Sequence, residues 1–84
     1  MNTLKIKMYG ANWCSDCRRT KNYLNDYNIP FEYIFVDDND EASEYVIQLN
    51  NGKRIIPTLI INDVVYSNPS IKVLSKILEE NSVK

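Results

Sequence analysis

The sequence predicts an α/β fold, a four-stranded mixed sheet flanked by helices in the order βαβαββα, on three observations. A run with strand periodicity leads into a helical stretch and then a second strand-like run, which together make a parallel crossover unit. Farther on, two apolar runs are separated by only Asn62 and Asp63, the mark of a β-hairpin. A last amphipathic stretch follows "SNPS", a helix-start signal.

Each element has its own warrant. Leu4, Ile6 and Met8 alternate with Lys5 and Lys7, so the first strand shows one apolar face. Residues 10 to 13 break that pattern. From Ser15 to Tyr27, the side chains of Cys17, Thr20, Leu24 and Tyr27 fall on one helical face. Arg18, Arg19, Lys21, Asn22 and Asn25 fall on the other, as a solvated face. "NIP" at 28 to 30 ends this helix, because a residue before proline disfavours helical torsions.

"FEYIFV" at 31 to 36 is aromatic and β-branched, a strand expected to be covered on both faces. "DDND" then makes a turn, with Asp40 as N-cap of a helix whose stripe is Ala42, Tyr45, Val46 and Leu49. "NNG" closes it. "TLII" at 58 to 61 and "VVY" at 64 to 66 form the hairpin. In the last helix Asn68 is the expected N-cap, Pro69 the first helical residue, and Ile71, Leu74, Ile77 and Leu78 the stripe. Lys5 and Lys7 suit a sheet face covered by the single helix after Asp40, where their stems lie flat and their ammonium groups reach water. Tyr23, Tyr27, Phe31, Tyr33 and Phe35 are assigned to the core.

Residues 1–84 read as a single domain, 44% hydrophobic and 25% charged, a globular balance. Ten basic and eleven acidic side chains leave a net charge of −1, with no basic excess for nucleic acid and no polybasic patch for a membrane surface. The first fourteen residues hold no apolar run suited to a signal peptide or membrane span, so the expected setting is the cytoplasm and the expected state a monomer. "DDNDE" at 37 to 41 lacks the spacing and glycine of a calcium loop.

The chemistry concentrates in "WCSDC", residues 13 to 17, which holds the chain's two cysteines. In a reducing cytoplasm such a pair is more often catalytic or metal-bound than a structural disulfide. Cys14 falls at the start of the first helix, where unsatisfied N–H groups and the helix dipole favour a thiolate, the reactive form. Cys17 lies one turn inside. The offset makes Cys14 the attacking nucleophile and Cys17 the resolving thiol. Arg18, Arg19 and Lys21 add positive charge, and a solvated Asp16 opposes it. Trp13 either shapes the rim beside Cys14 or simply packs. Pro57 begins a strand, and from the residues alone a trans bond is expected there.

The competing reading is a metal or iron–sulfur binding module. Two cysteines and no histidine leave a four-ligand site incomplete, so it would need a dimer or external thiols. A third is a scaffold whose cysteines are incidental.

"WCSDCR" after one strand, "IIPT" before the hairpin and "SNPS" before the last helix together resemble a glutaredoxin of the thioredoxin superfamily, nearest to the mycoredoxin-like subgroup. The resemblance spans nearly the whole chain. It implies a thioredoxin-like fold, a cis bond before Pro57, and a thiol–disulfide oxidoreductase acting through Cys14 and Cys17. Its substrates would be protein disulfides or mixed disulfides between proteins and a low-molecular-weight thiol, with no bound cofactor. Electrons would come from that small thiol as co-substrate or from a thioredoxin-reductase-like flavoprotein. The backbone of Ile56 would meet the cysteinyl part of the small thiol, Lys53 would lie beside its carboxylate, and Ser67, Asn68 and Ser70 would bind its other end. The chain departs from ordinary glutaredoxins at Ser15-Asp16, at "GANW" and at Ser67-Asn68, so the resemblance implies the activity class and leaves the thiol open.

Overall fold

A computed structural model describes residues 4–81. Its elements run β1 (Ile6–Gly10), α1 (Ser15–Asp26), β2 (Glu32–Phe35), α2 (Asp40–Leu49), β3 (Thr58–Ile61), β4 (Val64–Ser67) and α3 (Ile71–Asn81). The four strands form one mixed sheet in the order β2-β1-β3-β4, with β1 and β2 parallel and β3 antiparallel to both β1 and β4. This is the α/β architecture the sequence predicts.

Strand parity divides the core in two. Ile6 and Met8 of β1 and Leu59 and Ile61 of β3 face one way and pack with Cys17 and Leu24 of α1 and Leu74, Ile77 and Leu78 of α3. Tyr9 and Val36 face the other way and pack with Ala42 and Val46 of α2. Lys5 and Lys7 are exposed on this thinner side and, with Tyr45, Ile60 and Asp63, line a depression there.

Both predicted turns and helix stops take positive-φ torsions from short polar residues. Asn62 and Asp63 have φ of 50° and 71°, the two left-handed positions of a type I′ hairpin turn. At the end of α1, Asn28 adopts φ 56°, and its N–H and that of Ile29 satisfy the carbonyls of Asn25 and Leu24. Asn51 and Gly52 close α2 in the same manner, with the Gly52 N–H on the Ile47 carbonyl.

Several expectations are corrected. Gly10 ends β1 instead of opening the break. The cap of α2 is Asn39, whose side chain accepts the Ala42 N–H at 3.0 Å, and Asp40 is already helical. Asn68 does not cap α3: its φ is 43° and its N–H is held by the Pro57 carbonyl at 2.7 Å, so the helix starts later. Ser70 takes the cap, accepting the Val73 N–H at 3.2 Å. β2 is an edge strand whose end residues Glu32 and Phe35 are exposed, not a strand covered on both faces. Tyr27 lies past the end of α1 and is 65% exposed, and Phe35 is 46% exposed, so neither is core. Tyr45 is also largely exposed and packs across Tyr9.

Candidate active site

Both cysteines are free thiols, and the fold treats them differently. Cys14 is the N-cap of α1 in extended backbone (φ −86°, ψ 115°), and its sulfur accepts the Cys17 N–H at 3.3 Å. A sulfur thus fills the place that a Ser or Asp oxygen takes at most helix starts, and any negative charge on it meets the positive end of the helix. Cys14 is half-buried, so a disulfide can approach it. Cys17 has no exposed surface.

Burial pushes the Cys17 thiol up to about 12, and its hydrogen bond with Cys14 adds to this; hydrogen bonds from the Ala11 backbone and the Tyr33 hydroxyl pull weakly the other way. Cys17 is therefore a protonated reserve behind the accessible sulfur. Gly10 makes the arrangement possible. A methyl group there would sit 2.6 Å from the Tyr33 oxygen and 2.8 Å from the Cys17 sulfur, so only a bare backbone lets both approach.

On one side of Cys14 lies Trp13, 64% exposed, with its indole N–H donated to Asp37 Oδ2 at 2.5 Å. Arg54 grips the other Asp37 oxygen at 3.2 Å and donates to Ser43 Oγ at 3.0 Å. The ring is thus tethered to the β2–α2 and α2–β3 loops. On the other side is a cleft of 240 Å³ lined by Asp16, Arg19, Thr20, Asn68, Pro69, Ser70 and Ile71. Asp16 is not simply solvated: Arg19 pairs with it at 3.3 Å and Asn68 Nδ2 donates to it at 3.4 Å. Its charge is thereby offset locally.

The Ile56–Pro57 bond is cis, as the resemblance implies and against the expectation from the residues alone. Ile56 is half-buried and packs on both core clusters, and Pro57 is fully buried. Of the other residues singled out in the sequence, Asn68 and Ser70 reach the cleft beside the redox helix. The Ser67 hydroxyl instead donates to Asn50 Oδ1, and Lys53 is exposed with its N–H on the Asn50 carbonyl. The sequence reading missed Tyr33, Asp37, Arg54 and Asn50. For Tyr33 a signal existed, since strand parity in a crossover unit turns residues 31, 33 and 35 toward one face. The Asp37–Arg54 pair left none, being a contact between two loops.

Among the described residues no group of three or more His, Cys, Asp or Glu side chains converges on one point, and no helix is long and apolar enough to cross a membrane.

Comparison with known proteins agrees with this geometry. The glutaredoxin family model matches residues 6–66. Mycoredoxin 1 of Corynebacterium glutamicum is 34% identical over 74 residues, covering 86% of this chain and 91% of its own. The glutaredoxin-like protein NrdH of Lactococcus lactis is 31% identical over 62 residues, 74% of this chain and 83% of its own. Among solved structures, the glutaredoxin from Methanosarcina mazei superposes with a TM-score of 0.69 at 31% identity, over 94% of this chain and 79% of that one. With a thioredoxin-like fold, a matching family model and a Cys14–Cys17 pair opening α1, this chain belongs to the glutaredoxin family.

Proposed function

We propose that the chain is a dithiol disulfide reductase in which Cys14 is the nucleophile and Cys17 the resolving thiol. The observation that carries this reading is the asymmetry of the pair: an accessible sulfur capping a helix, and a buried, protonated one a turn behind it. The Cys14 thiolate attacks a protein disulfide, or a mixed disulfide between a protein and a small thiol, and one sulfur leaves as a thiolate. The sulfur of Cys17 then attacks Cys14, expels the second thiol and leaves a Cys14–Cys17 disulfide. Two electrons have passed to the substrate. A small thiol or a reductase flavoprotein returns them, in the reducing cytoplasm where such a couple operates.

For the small thiol we assign the backbone of Ile56 beside Pro57 to its cysteinyl part, Lys53 to a carboxylate, and Asn68 and Ser70, with Ser67 behind them, to its other end. The cleft by the redox helix and the exposed Lys53 ammonium support this assignment. Trp13, held by Asp37, forms the opposite rim.

The test uses Cys17→Ser, which keeps only the nucleophile, against mixed disulfides of glutathione, bacillithiol and mycothiol, with Cys14→Ser as the blank. Turnover of one of these establishes a monothiol route and identifies the thiol. Turnover by the wild type alone means that both cysteines are required. An inert wild type ends the oxidoreductase reading.

A further inference from the structure

Tyr33 stands on the edge strand β2, between Phe31 and Phe35, whose ring centroids lie 6.5 Å and 4.9 Å from its own in edge-on contacts. The Lys21 ammonium sits 5.0 Å from its ring centroid. Packed in this way the ring is fixed, and the freedom left to the side chain is rotation of the hydroxyl hydrogen. That hydrogen has one acceptor in the structure and a second close by. The first is the Ala11 carbonyl, with the Tyr33 oxygen 3.3 Å away. The second is the Cys17 sulfur, which flanks the same point as the Tyr33 oxygen: a Cβ on Gly10 would stand 2.8 Å from the sulfur and 2.6 Å from the oxygen.

We propose that Tyr33 is a positioning residue for the resolving step, its hydroxyl hydrogen turning from the Ala11 carbonyl to the Cys17 sulfur as that sulfur becomes a thiolate. The inference rests on the dithiol reading above and adds a residue to it. At this step Cys14 carries a mixed disulfide. The Cys17 thiol gives its proton to water, and an electron pair on its sulfur forms the bond to the Cys14 sulfur. The bond between Cys14 and the departing sulfur breaks, and its electron pair leaves with that thiolate, which is reprotonated by water. The two cysteines are oxidised and the substrate half is reduced. Tyr33 keeps its own proton throughout and acts as a donor.

The surroundings fit such a role. Cys17 pays the full penalty of charge in a buried site unless a donor meets it, and a hydrogen bond to a charged group is stronger than one to a neutral group. Burial, and then the nearby Cys17, push the Tyr33 hydroxyl up to about 12, so it stays protonated while the sulfur reacts. The titratable groups that interact with Cys17 are Cys14 at its own helix start and Tyr33 from β2, with Lys21 over the Tyr33 ring, and Tyr23 of α1 and Tyr66 of β4 pack against the same cluster. The β1, β3 and α3 residues in its cluster, Ile6, Met8, Leu59, Ile61, Leu74, Ile77 and Leu78, carry no titratable group.

The experiment mixes reduced full-length protein with one equivalent of 5,5′-dithiobis(2-nitrobenzoate) and follows the coloured thiolate by stopped flow. The first release reports attack by Cys14, and the second reports resolution by Cys17. Tyr33→Phe removes one oxygen and keeps the ring. The ratio of the second rate to the first is expected to fall about ten-fold. The pH–rate line of the second phase should move up by about one pH unit. Equal ratios and superimposed pH profiles in the two proteins overturn the proposal, as does a slowing shared equally by both phases, which is what loosened packing gives. Site-specific fluorotyrosine at position 33 covers the case in which Tyr33→Phe does not fold. Its more acidic hydroxyl is a better donor in nearly the same volume, so the second phase should move to lower pH, and no movement counts against the proposal. A wild type that never gives the second release refutes the dithiol reading itself.

Discussion

At the scale of single residues, the two cysteines differ in where each sulfur sits and not in the side chain itself. The surroundings of Cys17 bear on stability through its proton. Its thiol titrates near 9.0 in a free cysteine and is pushed up to about 12 in the fold, first by burial. Between these values the unfolded chain has released this proton and the folded chain has kept it. Stability that is fully present below pH 9 is therefore lost as pH rises through that window. Reduced wild-type protein should lose urea resistance between pH 9 and pH 12 more steeply than Cys17→Ser. Tyr33, also raised by burial, contributes in the same direction in both proteins. Parallel declines would show that Cys17 is not held neutral by the fold. From "WCSDC" alone both cysteines and their places at the helix start were legible, because a helix start is a local feature. The face that Tyr33 takes was open to strand parity, but its approach to Cys17 was not legible, since it depends on β2 passing close to Gly10.

At the scale of elements, the site is held together by a polar bracket beneath the Ile56–Pro57 turn. Asn50, buried at the end of α2, donates through Nδ2 to the Val46 carbonyl at 2.8 Å and to Thr58 Oγ1 at 3.1 Å. Its Oδ1 accepts from the Ser67 hydroxyl, and the Thr58 hydroxyl reaches the Ile55 carbonyl at 2.6 Å. One side chain thus links α2, the turn, β3 and β4. Asn50→Ala leaves the Thr58 and Ser67 hydroxyls short of a partner and should destabilise the protein by about 2 kcal/mol. Asn39→Ala, which removes an ordinary cap at the other end of the same helix, should cost about 1 kcal/mol. Urea denaturation of the two variants checks the order, and an Asn39 effect as large as that of Asn50 would remove the bracket from the account. The sequence placed α2 and its closing "NNG" correctly but took Asp40 for the cap one residue too late, since the Asn39 and Asp40 side chains can accept the same kind of bond. It misjudged Asn68 for a different reason. The bond that withdraws this residue from α3 comes from Pro57, a neighbour only in the folded chain.

At the scale of the whole molecule, the sheet is covered unequally. Among the described residues, α1 and α3 share one face with a cluster of nine buried side chains, and α2 alone covers the other with a cluster of four, beside the exposed Lys5 and Lys7. Both redox sulfurs, Tyr33 and Gly10 belong to the heavier face. A domain of this size has a total stability of only several kcal/mol, so the faces should open at different free energies. Leu74 is fully buried between α3 and the sheet, and Leu74→Ala should cost about 3 kcal/mol, close to what the whole fold can spare. Val46→Ala on the α2 face removes two methyl groups and should cost about 2 kcal/mol. Native-state hydrogen exchange on the reduced protein resolves the difference. Amides of α2 should exchange through a local opening that Val46→Ala makes easier, while those of α1 and α3 exchange only with global unfolding and become faster in Leu74→Ala. If α2 and α1 exchange at one common free energy in the wild type, the two layers form a single cooperative unit. The redox helix would then gain no protection from lying on the thicker side. If they separate as expected, the α2–β3 loop that carries Lys53 and Arg54 can loosen and adjust to a bulky disulfide while Cys14 and Cys17 stay in register.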